Sequence, residues 1–191
     1  MQELSMNIMD IAQNSIRAKA TTVDISVNED TDKGLLTIVI LDNGCGMTNE
    51  QIKKVCDPFY TTRNTRRVGL GVPFFKMAAE MTGGEFSIDS KPGVGTNVSA
   101  TFVTSHIDMA PLGDISATIA QLMCLNENVD VIYTYTQDKE VFSVHTDEIS
   151  RVLDGIPMNS PQVMSFLEGY INDNTTIIGK SKKSRKEGAP I

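Results

Sequence analysis

An acidic and glycine-rich segment, DNGCGM, follows the apolar run at residues 34–40. A carboxylate at the end of a buried strand, here Asp42, is costly unless groups donate hydrogen bonds to it. Gly44 and Gly46 permit unusual backbone shapes and remove side chains that would block a flat ligand. The amino group of adenine would be a suitable donor to Asp42. A plain turn between a strand and a helix explains the same residues, so the segment alone leaves a purine site and a turn open.

Polar residues also recur at helical spacing near the N terminus. Asp10 and Asn14 are four residues apart, which places a carboxylate and an amide oxygen on one helix face. Such oxygens suit Mg²⁺, which takes only one or two protein ligands beside substrate phosphates. Asp10 could alternatively act as a general base, and a solvated helix face is the plain alternative. The stripe comprises Glu3, Asn7, Asp10, Asn14 and Arg17.

A third candidate is the glycine pair of VGLGV, where Gly69 and Gly71 directly precede a predicted helix. Helix starts offer free N–H groups and a positive dipole end to anions. Three arginines just upstream could reach phosphate oxygens. The spacing matches neither the P-loop nor the dinucleotide-binding fingerprint, so the pair alone is a weak signal. The arginines are Arg63, Arg66 and Arg67.

Hydrophobic periodicity predicts the elements that position these residues. The apolar run 35–41 is typical of a central strand that is covered on both faces. Thr48 and Gln51 form a capping-box pattern, and Ser160 followed by Pro161 predicts another helix start. Helices are predicted at 3–18, 48–56, 72–82 and 114–125, strands at 21–28, 35–41, 85–90 and 96–103, a hairpin turning at 137–139, and then two short helices, the second from Pro161 to about Ile171.

Composition narrows the function classes. The chain has 191 residues, 40% hydrophobic content and a formal charge of −7. The last twelve residues hold five basic residues and one acidic residue, which leaves about −11 for the rest and argues against a nucleic-acid surface there. We find no signal peptide and no apolar run of membrane-spanning length. Three cysteines without CxxC spacing fit a reducing cytoplasm, and two histidines without ligand-like neighbours make a structural zinc site improbable.

Five motifs in fixed order, spread over residues 3–104, carry a resemblance to a known superfamily. They are DIAQNS, DNGCGM, DPFYTTR, VGLGV and GVGT. This sequence resembles the GHKL ATP-binding domains of gyrase B, Hsp90, histidine kinases and MutL. The resemblance implies the Bergerat fold, an α/β (α+β) two-layer sandwich with a mixed sheet and helices on one face. It leaves residues 105–179 as a small α+β extension of unknown role and residues 180–191 as a basic disordered tail.

The resemblance also implies a site. ATP would lie between the helices, with adenine on Asp42, support from Thr96 and Mg²⁺ on Asn14. Asp10 matches the acid that positions or activates the attacking group, and residues 60–68 would form a short lid. The implied ATP-binding residues are Asn14, Asp42, Gly44, Gly46, Met47, Phe59, Thr61, Thr62, Arg63, Val68, Gly69, Leu70, Gly71 and Thr96.

The implied function is that of a Mg-ATP-binding protein, a phosphotransferase or slow ATPase that acts on or with a partner protein. The sequence begins at the first motif, so we expect no self-contained two-component histidine kinase. Its SHIDMAPLGD segment looks similar to stand-alone histidine-kinase-like proteins found with iron-only hydrogenase systems, which implies a hydrogenase-related or signalling partner. The alternatives are a non-catalytic ATP/ADP-sensing module and an ATP-gated dimer of the gyrase or MutL kind. No nucleic acid and no membrane are expected as partners.

Overall fold

The computed structural model describes the backbone of residues 3–57 and 70–186, which forms one layer of helices on a six-stranded sheet. Most elements lie where periodicity predicts them, and Thr48 and Gln51 form the predicted capping box at the start of the second helix. In chain order the elements are α1 (Leu4–Arg17), β1 (Thr22–Asp30), β2 (Leu35–Asp42), α2 (Asn49–Val55), α3 (Gly71–Met81), β3 (Phe86–Lys91), β4 (Gly95–Val103), α4 (Ile115–Leu125), β5 (Asp130–Gln137), β6 (Glu140–His145), α5 (Thr146–Val152) and α6 (Pro161–Lys186).

The sheet is mixed, with the strand order β3-β4-β2-β1-β5-β6. Neighbouring strands are antiparallel except β1 and β5, which run parallel. The elements after residue 104 therefore extend the same sheet, because β5 pairs with β1 from Thr22↔Asp130 to Glu29↔Gln137. The predicted α/β fold with a mixed sheet is confirmed.

Helices cover one face of this sheet. Val23, Ile25 and Val27 of β1 are buried under the helix layer, whereas the intervening residues are not. The prediction that β2 is covered on both faces is wrong: its burial alternates, and Leu41 is 50% exposed. A two-layer sandwich leaves one face of every strand without a covering layer, and an unbroken apolar run cannot reveal this.

The last helix is longer than predicted. α6 does not end near Ile171 but continues to Lys186, and so includes residues 180–186 of the predicted tail. Asn and Thr residues after Ile171 favour a helix end in the sequence, yet here their side chains bond back to helical carbonyls. Asn174 Nδ2 donates to Tyr170 O at 2.8 Å, and Thr175 Oγ1 donates to Ile171 O at 2.9 Å.

The segment between β4 and α4 returns to the start of α1. Leu4 N donates to Pro111 O at 3.0 Å and Ser5 N donates to Leu112 O at 2.8 Å. These bonds satisfy amides of the first turn, where Glu3 supplies no side-chain cap. The segment thereby fixes the helix that carries Asp10 and Asn14. None of the helices within residues 3–57 and 70–186 is long and apolar enough to cross a membrane.

Candidate functional site

A cavity of about 300 Å³ opens between α1, the end of β2 and the β3–β4 hairpin. Carboxylate, amide, hydroxyl and guanidinium groups lie along one part of its wall. Mostly aliphatic side chains form the rest. Five of the predicted site residues line it: Asn14, Asp42, Gly46, Met47 and Thr96. The apolar wall includes Ile11, Val55, Val72, Ile88 and Val98.

Asp42 is only 8% exposed at the end of β2. Its Oδ2 accepts a hydrogen bond from Ser15 Oγ at 2.6 Å, and its Oδ1 accepts one from Gly44 N at 2.8 Å. Two donors from different elements fix the orientation of the carboxylate and compensate its burial. Each carboxylate oxygen has about two acceptor positions, so Asp42 retains capacity for a donor on a ligand.

The neighbouring amide of this motif has a structural role. Asn43 Oδ1 accepts hydrogen bonds from Thr21 N at 2.8 Å and Thr22 N at 2.9 Å, and its Nδ2 donates to Thr21 Oγ1 at 2.8 Å. Cys45 N donates to Ala18 O at 2.9 Å, which ties the loop to the end of α1. Asn43 therefore acts as a side-chain clamp on the start of β1.

The glycines of this motif are required by the backbone around them. Gly46 has φ +65°, and a Cβ there would lie 2.0 Å from Lys91 O. A Cβ at Gly44 would lie 2.9 Å from both Ala18 Cβ and Ala18 O. Any side chain at these positions would push the loop away from α1 and the hairpin. The two glycines therefore have a packing role. That they also leave space for a flat ligand stays a prediction.

Thr96 faces Asp42 across the β2–β4 pairing. Ser90 Oγ donates to Gly95 O at 2.8 Å and accepts from Met47 N at 2.8 Å. Because that donation uses the Ser90 proton, Thr96 Oγ1 is the donor in its 2.9 Å contact with Ser90 Oγ. The lone pairs of Thr96 are left to accept from a ligand or a water molecule.

The polar stripe of α1 meets three environments: the cavity, the protein interior and, at Asp10, the exposed surface beside α3. Asn14 and Arg17 line the cavity, and Arg17 Nη1 donates to Asn14 Oδ1 at 3.0 Å. Asn7 is buried instead, and its Nδ2 has no hydrogen-bond partner among the described residues. The stripe is therefore neither a uniformly solvated face nor a uniformly buried one.

Asp10 lies where α1 meets the start of α3. A Cβ at Gly71 would lie 2.6 Å from Asp10 Cβ and 3.2 Å from its Oδ2, so only glycine permits this approach. Asp10 is exposed on its solvent side, and the partial desolvation of its carboxyl against α3 raises its pKa above the usual value, while the charge of Arg17 lowers it in part. A raised pKa is one of the features that recur in carboxyls that exchange protons with substrates.

The start of α3 supplies candidate anion contacts. Leu70 is the N-cap and makes no side-chain capping bond, and the helix begins at Gly71. The N–H groups of the first turn can therefore face an anion. Six predicted ligands and the predicted lid 60–68 lie outside the described residues, and their contacts stay predictions. These ligands are Phe59, Thr61, Thr62, Arg63, Val68 and Gly69.

Three residues at the site were not predicted as site residues. Ser15 lies among the buried aliphatic side chains of α1, and a hydroxyl at such a position is a usable signal. Arg17 was placed on the polar stripe without a role. Ser90 connects Met47 to Thr96 and has no distinguishing pattern in the sequence.

A metal at this site would depend on few protein ligands. The structure's described residues contain no group of three or more His, Cys, Asp or Glu side chains that could hold a metal ion. Mg²⁺ commonly keeps several waters and takes substrate phosphates beside one or two protein oxygens. The oxygen donor Asn14 at the cavity wall fits that requirement.

Residues 2–106 match the sequence profile described as histidine kinase-, DNA gyrase B-, and HSP90-like ATPase. Among curated relatives, the chain is 30% identical over 106 residues to sensor histidine kinase YxdK of Bacillus subtilis, covering 53% of this chain and 33% of that protein. It is 32% identical over 91 residues to sensor protein DegM of a Bacillus species, covering 48% of this chain and 24% of that protein. The chain spans a third or less of the length of these relatives.

Among solved structures, the fold resembles the ATPase domain of Aquifex aeolicus MutL complexed with ADP. The TM-score is 0.51 at 14% identity, with 75% of this chain and 64% of that chain covered. At this identity the likeness concerns the fold alone.

Proposed function

Because the chain belongs to the family of histidine kinase-, DNA gyrase B- and HSP90-like ATPases, and is an ATP-binding protein of that class, we propose that it binds Mg-ATP in the α1–β2–β4 cavity. We propose further that it transfers the γ-phosphoryl group to a partner protein or, slowly, to water. The observation that supports this most is Asp42, a buried carboxylate that two internal donors orient towards an apolar slot.

Adenine recognition would rest on Asp42 and Thr96. The carboxylate accepts a hydrogen bond from an exocyclic amino group, and the free lone pairs of Thr96 accept from a second donor or a bridging water. The aliphatic wall, including Val98 and Ile88, removes the ring faces from water. This combination of a few polar groups with an apolar lining is typical of small-molecule sites.

The triphosphate would lie towards α3, where free N–H groups meet α1. Asn14 would supply a protein oxygen to Mg²⁺, and Arg17, now bonded to Asn14, could turn to the phosphates. Mg²⁺ in such a site neutralises phosphate charge. Asp10 holds or accepts the proton of the attacking hydroxyl or water, a role for which its raised pKa is suitable.

For the setting, we propose a cytoplasmic protein whose partner is a hydrogenase-related or signalling protein. All three cysteines are free, as expected in a reducing compartment. The partner proposal rests on the resemblance of the SHIDMAPLGD segment, which contacts the start of α1 through Pro111 and Leu112.

Nucleotide binding is tested by calorimetry with ATP, with and without Mg²⁺. We expect Asp42→Ala to lose about 1.5–3 kcal/mol, roughly 10- to 150-fold in affinity, because a charged acceptor is removed. Asn14→Ala should mainly abolish the Mg²⁺ dependence. Asp24→Ala, on the uncovered face of β1, is the matched control and should bind like wild type. Equal ATP affinity in the Asp42 variant and wild type would contradict the proposed adenine site.

Phosphoryl transfer is tested with γ-labelled ATP, the intact chain and candidate partner proteins. We expect labelled phosphoprotein or inorganic phosphate from wild type, and at least tenfold less from Asp10→Asn, because general acid–base catalysis typically contributes about 100-fold or more. If wild type and Asp10→Asn release label equally, the transfer proposal is wrong while the binding proposal stands.

A nucleotide-sensing module is the second candidate. The bonds from Leu4 and Ser5 to residues 111 and 112 favour it, because they connect the ATP-binding helix directly to the segment leading to α4. A sensor requires different affinities of its states for ATP and ADP. Equal affinities, together with partner binding that ignores the nucleotide, would exclude sensing.

A further inference from the structure

β6 is an edge strand, and half of its backbone polar groups face away from the sheet. The β5–β6 hairpin turns through Asp138 and Lys139, so Gln137 and Glu140 form the first hydrogen-bonded pair. Hydrogen-bonded and non-hydrogen-bonded pairs then alternate along the ladder. The N–H and C=O groups of Val141, Ser143 and His145 therefore point outward. Within the described residues, no backbone hydrogen bond engages the outward groups of Val141 and Ser143, whereas the C=O of His145, the N-cap of α5, accepts the first bond of that helix.

This edge lacks the features that usually prevent association. Free edges are commonly protected by proline, bulges, inward-pointing charges or a covering element. The sequence of β6, EVFSVH, contains no proline and pairs with β5 in unbroken register. Val141, near its start, is 63% exposed. An uninterrupted edge with unpaired outward groups is a template for another strand.

The helix beside this edge is also apolar where it meets solvent. Phe166 of α6 is 61% exposed, and its ring stacks on Tyr170 with centroids 6.0 Å apart. Tyr170, 40% exposed, contacts Phe142 of β6 edge to face at 5.5 Å. Exposed aromatic side chains therefore continue from the strand edge onto the helix layer, which is the composition of an interface core.

We propose that β6 pairs antiparallel with β6 of a second copy of this chain, about a two-fold axis at Ser143, to make one continuous sheet across a homodimer. The axis is perpendicular to the sheet, so both helix layers stay on the same side. The exposed faces of the two α6 helices, with Phe166 and Tyr170, then lie next to each other and bury each other's rings.

The strand is complementary to itself in this register. Phe142 lies opposite Val144 of the second copy on the helix-covered face, and Val141 lies opposite His145 of the second copy on the other face. The outward amides of residues 141, 143 and 145 pair with those of the second copy in the same alternation that the hairpin sets. A second copy therefore supplies apolar contacts and backbone hydrogen bonds without any other protein.

The test measures the mass of the intact chain by sedimentation and light scattering over a range of concentrations without nucleotide. One chain is 20.9 kDa, so wild type should approach twice that mass. Ser143→Pro removes one outward N–H per copy and no N–H of the β5 ladder, and should raise the dimer dissociation constant about 10-fold or more. Ser143→Ala keeps the N–H and is the matched control.

Hydrogen exchange separates this interface from any other dimer. The amides of residues 141, 143 and 145 should exchange slowly in concentrated protein and rapidly after dilution or in Ser143→Pro, while the β5 ladder amides stay protected. A monomeric wild-type chain would overturn the proposal and leave the edge for a different protein. An unchanged dimer in Ser143→Pro, or exchange independent of concentration, would overturn it equally. Neither result bears on nucleotide binding.

Discussion

At the scale of single residues, the site is organised around the hydrogen bond between Ser15 and Asp42. The two residues are 27 positions apart and belong to different elements, and the 2.6 Å bond makes the orientation of the carboxylate depend on α1. The helix that carries Asn14 and Asp10 thus also controls the predicted adenine contact. In the proposed binding mode, α1 would therefore couple the phosphate-side groups to the base-side group.

We expect Ser15→Ala to weaken ATP binding by about 1 kcal/mol, roughly fivefold, because Asp42 loses one of its two orienting donors. Calorimetry measures the affinity. Ser26→Ala is a matched control, since Ser26 Oγ also donates to an aspartate, Asp24, but on the uncovered face of β1. Similar losses in both variants would show that the effect is not specific to the cavity.

Asp10 gives a pH-dependent prediction. Its pKa in the folded state lies above the usual value because of desolvation, so ionisation favours the unfolded state and costs stability as the pH rises past the unfolded pKa. We expect Asp10→Asn to have a higher free energy of unfolding than wild type at neutral pH. This difference should shrink as the pH falls below the raised pKa, because the wild-type carboxyl then becomes neutral too. Urea titrations between pH 4 and 8 measure it.

The control for this prediction is Asp89→Asn, at an exposed position of β3. A stability gain of Asp10→Asn that is equal at both ends of the pH range would contradict the desolvation argument. So would an equal gain in the Asp89 variant.

At the residue scale, the sequence predicted those candidate site residues whose type and spacing stand out among their neighbours in the chain. Asp42 was found because a carboxylate ends an apolar run, and Asn14 because it repeats the helical spacing from Asp10. Ser15 and Ser90 were missed because their importance lies in partners distant in the chain. Asn43 belongs to a recognised motif, but its clamp on Thr21 and Thr22 required the neighbouring strand to be placed.

At the scale of elements, the contact between α1 and α3 decides whether Asp10 faces the start of α3. That contact allows no side chain at Gly71, whose Cβ would lie 2.6 Å from Asp10 Cβ. We expect Gly71→Ala to cost about 1–3 kcal/mol of stability through overpacking, and to weaken ATP binding because the helices separate. Urea unfolding and calorimetry measure the two effects.

Gly169→Ala is the matched control, because a Cβ there would meet nothing within 4 Å and the residue lies within α6. Alanine in a helix interior should stabilise by about 0.5–1 kcal/mol relative to glycine. Opposite signs in the two variants support the packing argument. A stable Gly71→Ala variant with normal ATP affinity would contradict it.

The elements themselves were largely predictable, because α1, the capped α2 and the β5–β6 hairpin carry strong local signals. Two features were not. The exposure of Leu41 depends on how many layers cover the sheet, and the sequence of a single strand does not contain this information. The length of α6 depends on side chains of Asn174 and Thr175 that bond to the preceding turn and keep residues of low helix propensity helical.

At the scale of the whole molecule, the parallel pairing of β1 with β5 joins the two parts of the chain that the sequence separates at residue 104. Their buried side chains form one cluster that includes Ile25 of β1 and Tyr133 of β5. Sequence patterns do not specify which distant strands become neighbours, so this joining could not be predicted. The order of the ATP-binding motifs, by contrast, predicted the N-terminal part of the fold.

We therefore expect the intact chain to unfold in one cooperative step. Far-UV circular dichroism reports all elements, whereas three of the four tyrosines lie after residue 104, so tyrosine fluorescence reports mainly that part. Coincident urea transitions by the two probes are the expected outcome. Two separated transitions would mean that the shared sheet contributes little coupling.

The bond between Arg17 and Asn14 bears on the order in which ligands arrive. An internal cation already occupies the amide oxygen that the metal would use, so free Mg²⁺ must compete with a tethered guanidinium. A triphosphate gives that guanidinium a better counterion and brings its own coordinated metal. Under the proposed function, we therefore expect metal and nucleotide to enter as one complex in preference to the bare ion.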